Sequence, residues 1–207
     1  MIVIVDYGMG NIGSIANMIK KAGGQSIVTS DVEVIGNAEK LIIPGVGAFD
    51  NGIKNLHDSG LIDVLNRKVL DEGVPILGIC LGMQLMAKSS EEGVLPGLGW
   101  IDANCIKFKF TGANEILRIP HMGWNEVKIK KKDGIFKNMY DDASFYFVHS
   151  YHVRCNNPDD IASTTEYGFE FTSSIHHGNI FATQFHPEKS HKYGLLVMKN
   201  FVEAVHA

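Results

Sequence analysis

The strongest constraint on the fold lies in residues 1–90, where apolar runs of four or five residues alternate with stretches of helical periodicity. Such runs read as strands buried on both faces, and strands separated by helices build βαβ units around a parallel sheet. Residues 2–5 are the first strand. Residues 11–22 then carry Ile12, Ile15, Ile19 and Ala22 at three- and four-residue spacing, and Gly23-Gly24 closes them as a helix C-terminus is closed. Residues 26–29, 40–43 and 75–79 are further predicted strands, with helices over 50–70 and 81–88. From Trp100 onward the texture changes to closely spaced strands, at 105–110, 124–129, 144–148, 151–154, 171–175 and 180–183, before a closing helix over 193–205. The pattern predicts an α/β fold: a mostly parallel central sheet with flanking helices and an additional antiparallel β portion in the second half. No repeat and no linker rich in Pro, Gly or Ser interrupts it, so residues 1–207 are expected to form one domain.

The charge narrows the possible partners. A net charge of −4 gives no basic stripe with which to displace counterions from phosphate, which argues against nucleic acid. The one lysine cluster, residues 128–132, ends in Asp133-Gly134 and reads as the solvated tip of a turn. No apolar run approaches the roughly 18 residues of a transmembrane helix. The apolar opening lacks a basic leader and reads as a strand rather than a signal. Three cysteines, Cys80, Cys105 and Cys155, cannot all pair within one chain, so a reduced, cytoplasmic protein is expected.

Chemistry concentrates at Gly78-Ile79-Cys80-Leu81-Gly82, where an apolar strand runs through G-x-C-x-G into a helix. This is the thiol counterpart of the nucleophile elbow. So sharp a turn needs neighbours without bulk two residues before and after the nucleophile, and a sulfur at a helix N-terminus is favoured as thiolate. Taken alone, a cysteine beside glycines is more often a packed core residue. The partner it needs is a base. Gln184-Phe185-His186-Pro187-Glu188 follows the strand at 180–183, and continued strand geometry would send His186 and Glu188 to the same side. Glu188 could then hold the imidazole while His186 takes the thiol proton. With nine histidines in the chain a lone His-x-Glu is weak evidence. The combination is stronger, because carboxyl ends of neighbouring parallel strands are where such folds assemble their sites.

Together these motifs resemble the class I, or triad, glutamine amidotransferases, a family of flavodoxin-like folds. Gly78 to Gln84 resembles the family's nucleophile loop, Phe185 to Glu188 its base and orienting acid, and Pro44-Gly45-Val46-Gly47-Ala48-Phe49 its oxyanion loop. Within the family the chain is most similar to the glutaminase subunit of imidazole glycerol phosphate synthase. Asp6 to Asn11, Pro120-His121-Met122-Gly123-Trp124-Asn125, His149-Ser150-Tyr151 and His186 to Ser190 carry that similarity.

The resemblance implies that Cys80 attacks the side-chain amide of L-glutamine, assisted by His186 and Glu188, with Leu81 and Val46 or Gly47 supplying the oxyanion donors. Gln84, His149, Ser150 and Tyr151 would hold glutamine, and Asn11, Trp124 and Lys189 would meet a partner. That partner would be a cyclase with a (βα)8 barrel, in a heterodimer that takes up the ammonia and makes imidazole glycerol phosphate and an aminoimidazole carboxamide ribotide in histidine biosynthesis. No metal or cofactor is implied. Cys105 and Cys155 read as structural. Glu166-Tyr167-Gly168-Phe169-Glu170-Phe171 and Ile180-Phe181-Ala182-Thr183-Gln184, where a glycine is common before Gln-Phe-His, resemble paralogues that feed sugar-modifying enzymes of surface polysaccharide synthesis, so the acceptor stays open.

A rival of another class is a dinucleotide-binding oxidoreductase. Gly8-Met9-Gly10-Asn11-Ile12-Gly13 is a literal G-x-G-x-x-G after a first strand, with Asp31 about 20 residues on. It leaves the cysteine and histidine motifs unexplained.

Overall fold

Ile2, Val3, Ile4 and Val5 are all buried, and they divide by parity. Val3 and Val5 join one apolar core with Leu41, Leu56, Leu65 and Met83, whereas Ile2 and Ile4 join another with Ile19, Leu77 and Phe201. Successive side chains of a strand point to opposite faces, so this strand is covered on both sides, as parallel strands are.

The computed structural model describes residues 1–112 and 116–203. The order is β1 (Ile2–Val5), α1 (Ile12–Lys21), β2 (Ser26–Thr29), α2 (Val32–Gly36), β3 (Lys40–Ile43), α3 (Phe49–Asp58), α4 (Leu61–Asn66), β4 (Ile76–Ile79) and α5 (Leu81–Leu85). There follow β5 (Ser89–Ser90), β6 (Ala103–Lys107), β7 (His121–Glu126), β8 (Lys128–Ile129), β9 (Ser144–His149), β10 (Tyr151–Cys155), β11 (Ile161–Glu166), β12 (Glu170–His177), β13 (Ile180–Thr183) and α6 (His191–Glu203). The predicted helix over 81–88 is shorter than expected, and the final two residues of the one over 193–205 lie outside the described residues.

In the large sheet β2-β1-β3-β4-β13 pair in parallel, and from β12 outward through β10 and β6 the pairing is antiparallel, apart from the short parallel edge of β5 on β6. Strands β7 and β9 form a separate antiparallel pair. This is the expected parallel sheet with helices, extended by an antiparallel half. Among the described residues no helix is long and apolar enough to cross a membrane.

Two expectations are corrected. The lysine cluster is a solvated turn only in part: Lys130 to Asp133 run outside strand into the 3-10 turn Gly134–Phe136, but Lys128 and Ile129 form a strand on β11, Lys128 and Lys130 pair with Glu170, and Lys131 donates to the His176 carbonyl at 2.8 Å. The G-x-G-x-x-G reading also fails on topology. A dinucleotide fold of this type places its first strand between the second and fourth, but here β1 lies between β2 and β3, the flavodoxin-like order. A Cβ on Gly10 would lie 2.8 Å from Pro44 Cβ, so its bareness serves packing against the Pro44-Gly45 loop. Asp31 caps α2, accepting from the N–H groups of Glu33 and Val34.

Candidate active site

The sheet order brings three loops together. Strands β3, β4 and β13 are neighbours, with Ile43 beside Gly78 and Ile79 beside Thr183, so the chain leaves all three at one edge of the sheet. Gly45-Val46-Gly47 follows β3, Cys80 follows β4, and Gln184 to Glu188 follows β13. The Cys80 N–H donates to the Thr183 carbonyl at 2.7 Å, which ties two of these loops at the cysteine itself.

Cys80 adopts φ +55°, a backbone conformation that costs a non-glycine residue about 1–3 kcal/mol and clusters at functional sites. The flanking glycines are required by contact. A Cβ on Gly82 would lie 2.0 Å from the Ile43 carbonyl oxygen, and one on Gly78 would lie 2.7 Å from Met86 Cε. α5 starts at Leu81, so the sulfur stands at its N-terminal end.

His186 and Glu188 meet, but not by strand geometry. Strand β13 ends at Thr183, and Pro187–Lys189 is a 3-10 turn that folds the carboxylate back, so Glu188 Oε1 sits 2.8 Å from His186 Nδ1 with both side chains buried. Nε2, which makes no hydrogen bond, is left for Cys80, which lines the same cavity. Burial works against protonating the ring, but the Cys80 sulfur and the Glu188 carboxylate work for it more strongly and raise its pKa to about 9.

Ser190 fixes this turn. Its hydroxyl donates to the His186 carbonyl at 2.6 Å and accepts from the Tyr146 N–H at 3.0 Å, while the His186 N–H donates to the Tyr146 carbonyl at 2.9 Å. Phe185, fully buried, stacks on Phe145 with ring centroids 4.0 Å apart and anchors the segment from below.

A cavity of about 270 Å³ opens over the sulfur, lined by Val46, Gly47, Cys80, Leu81, Gln84, Glu92, Pro120, Val148, His149, Ser150, Tyr151 and His186. The structure thus gathers Cys80, His186 and every predicted oxyanion and glutamine-holding residue around one space. The Leu81 N–H donates to the Gly45 carbonyl at 3.3 Å, so this predicted oxyanion donor is occupied by the loop expected to assist it. Gln84 is not an exposed helix residue. Its Nε2 donates to the Tyr151 carbonyl and to Gln184 Oε1, both at 3.1 Å.

His149 lies inward by strand parity, beside Phe145 and Phe147 on β9. Its Nδ1 donates to the Tyr151 carbonyl at 2.8 Å, which fixes the tautomer and leaves Nε2 to accept from His121 Nδ1 at 2.9 Å. Burial holds both rings neutral, pushing His149 down to about 3 and His121 to about 4.

Asn11, Trp124 and Lys189 lie outside the cavity and are exposed. Trp124 stacks on His191 at 5.2 Å, and Lys189 Nζ stands 5.6 Å from the ring of Tyr146, the residue whose carbonyl holds His186. Asn11 follows Gly10 against the Pro44-Gly45 loop.

The motifs did not single out Glu92, Gln184, Ser190 or His121. Glu92 is the one carboxylate among the cavity-lining residues and also accepts from the Phe49 N–H at the start of α3, at 2.9 Å. Ser190 and His121 stood inside the recognised blocks, and Gln184 stands between the strand and His186. Gln184, Ser190 and His121 are each bonded to a site residue, which spacing cannot reveal.

Residues 3–205 match the family model for glutamine amidotransferase class-I. The chain is 55% identical over 203 residues to imidazole glycerol phosphate synthase subunit HisH 2 of Methanococcus maripaludis, covering 98% of this chain and 99% of that one. It is 47% identical to the protein of the same name in Pseudomonas aeruginosa, covering 99% and 100%. It is 45% identical to subunit HisH of Bdellovibrio bacteriovorus, covering 98% and 100%. Among solved structures, PurLQS from Thermotoga maritima superposes with a TM-score of 0.73 at 15% identity, covering 98% of this chain and 97% of that one. A glutamine amidotransferase from the same organism gives 0.64 at 16%, covering 98% and 80%. Motifs, fold and full-length similarity agree that this chain belongs to the class I glutamine amidotransferases.

Proposed function

We propose that residues 1–207 act as one amidotransferase domain, the glutaminase subunit of an imidazole glycerol phosphate synthase. It hydrolyses L-glutamine and hands the ammonia to a cyclase subunit in histidine biosynthesis. The observation that carries this reading is the set of Cys80, His186 and Glu188 at the ends of adjacent strands, in a chain similar over its whole length to HisH subunits.

In this mechanism the Cys80 thiolate adds to the amide carbon of glutamine, and the carbon–nitrogen bond breaks as His186, protonated, gives its proton to the departing ammonia. The glutamyl thioester is then cleaved by water, from which His186 takes a proton. Glu188 holds Nδ1 and keeps Nε2 directed to the reaction. The oxyanion takes the Leu81 N–H after the Gly45 carbonyl releases it, and a second donor comes from Val46 or Gly47; one such donor is worth about 3–4 kcal/mol. A movement of this loop therefore turns catalysis on. Gln84, His149, Ser150 and Tyr151 shape the glutamine site, and Glu92 faces the α-ammonium. No step needs a cofactor.

The acceptor is a cyclase with a (βα)8 barrel, docked on the surface that carries Asn11, Trp124 and Lys189, in a heterodimer in the reducing cytoplasm. Replacing Cys80 with Ser in the co-expressed complex abolishes glutamine-dependent formation of imidazole glycerol phosphate and leaves the ammonia-dependent reaction intact. Retained glutamine-dependent synthesis would remove Cys80 from the chemistry. An active glutaminase that supports no imidazole glycerol phosphate would move the chain to another acceptor.

A further inference from the structure

Beneath the Cys80 sulfur runs a chain of side-chain amides whose direction is fixed at one end. The Tyr151 carbonyl oxygen can only accept, so the group of Gln84 that meets it at 3.1 Å is the amide nitrogen. The same nitrogen donates to Gln184 at 3.1 Å, which makes the Gln184 atom on that side its oxygen. The Gln184 amide nitrogen therefore lies on the other side, where it donates to Cys80 Sγ at 3.7 Å. Orientation of the last amide, which sets whether the sulfur meets a donor or an acceptor, follows from the backbone carbonyl at the far end.

Gln184 is completely buried, and its position is set by the backbone. It follows β13, its N–H donates to the Ser173 carbonyl at 2.9 Å, and the preceding Thr183 carbonyl accepts from Cys80. A buried amide is costly unless its groups are bonded, and an apolar side chain could fill the same volume without that cost. The amide does what an apolar group cannot: it accepts from Gln84 and donates to sulfur. A donor bonded to an ionisable group favours the anion, and the anion of Cys80 is the attacking form.

We infer that Gln184 is a further catalytic residue: its side-chain N–H stabilises the Cys80 thiolate, and its oxygen ties the nucleophile through Gln84 to the Tyr151 carbonyl in the glutamine cavity. The inference rests on the assignment of Cys80 as the nucleophile and adds to it a donor on the side of the sulfur away from substrate.

The test is the rate of Cys80 alkylation by iodoacetamide as a function of pH, mapped by mass, in the full chain and in Gln184→Leu and Gln184→Glu. Leucine removes the donor. Glutamate keeps the acceptor for Gln84 but turns an anion toward the sulfur. The expected result is a Cys80 titration midpoint about one pH unit higher in Gln184→Leu and higher still in Gln184→Glu. At pH values well below the midpoint alkylation should slow by up to about tenfold, and kcat for glutamine should fall while KM changes less than about threefold. An unchanged midpoint in both variants would overturn the role, as would loss of folded protein in both, which would assign Gln184 to packing. Failure of the underlying reading looks different: glutamine would then fail to protect Cys80 from a glutamine-like alkylating agent in the unaltered chain.

Discussion

At the scale of the residue, the acid–base behaviour turns on His186. Its pKa is raised from the ordinary 6.5 to about 9, so in the folded protein the ring is protonated at neutral pH. The sign follows from that direction. Its contribution to stability is fully present below about 6.5 and is lost as pH rises through about 9. The proton needed by the departing ammonia is lost over the same window. The high-pH limb of kcat/KM for glutamine should therefore fall near pH 9, and Glu188→Gln should move it downward because the carboxylate is one of the groups holding the proton. A limb that stays in place in that variant would remove Glu188 from the pair. The other two cysteines are held inert: burial pushes the Cys105 thiol far up, and burial with the Asp160 charge pushes Cys155 to about 11. Cys80 and His186 were legible in the sequence because their motifs carry a backbone requirement as well as a side chain. The reason given for Glu188 was wrong in mechanism, since a proline-led turn rather than a strand returns the carboxylate to the ring.

At the scale of the element, the site depends on close approach between neighbouring loops. A Cβ at Gly82 meets the backbone of β3 rather than a movable side chain, so Gly82→Ala must displace α5 or β3. It should cost about 3 kcal/mol, visible as a melting temperature lowered by about 6–12 °C. Phe185→Ala opens a hole beneath the histidine turn and should cost about 3–5 kcal/mol, with kcat falling as His186 loses its support. A variant that melts normally but has lost activity would separate positioning from packing. The inner parallel strands were readable because they are buried, unbroken apolar runs, as in Ile2-Val3-Ile4-Val5 and Ile76-Leu77-Gly78-Ile79. Strand β11 was not, for a physical reason: Ala162-Ser163-Thr164-Thr165 is polar yet buried, and Ser163 is satisfied by the hydroxyls of Ser173 and Ser174 at 2.9 and 2.6 Å. A buried strand of hydroxyl-bearing residues carries no hydrophobic alternation, whether the hydroxyl is paired, as at Ser163, or without a hydrogen bond, as at Thr164 and Thr165. α2 was missed because five residues give no periodicity to measure.

At the scale of the whole molecule, the glutamine cavity and the proposed docking face are joined through few bonds. Trp124 is 47% exposed on β7, whose first residue, His121, donates to His149 beside the glutamine site. Lys189 belongs to the turn that carries Glu188. A partner seated on this proposed face would touch the elements that carry the proposed glutamine site and base. Trp124→Ala should weaken association with the cyclase about 30-fold in a binding titration, the effect of losing one aromatic anchor, while leaving the fold and the Cys80 titration unchanged. Unaltered affinity would place the interface elsewhere. Residue spacing could nominate Trp124 and Lys189 only through resemblance, because exposure and proximity to Tyr146 are set by strands far apart in the chain.

The most direct test of the central claim is labelling of the chain, with its co-expressed partner, by a diazo-ketone analogue of glutamine, followed by mass mapping of the adduct with and without excess glutamine. The expected result is a single adduct on Cys80 that glutamine suppresses, with Cys105 and Cys155 unlabelled. Equal labelling of all three cysteines, or no adduct on Cys80, would contradict it.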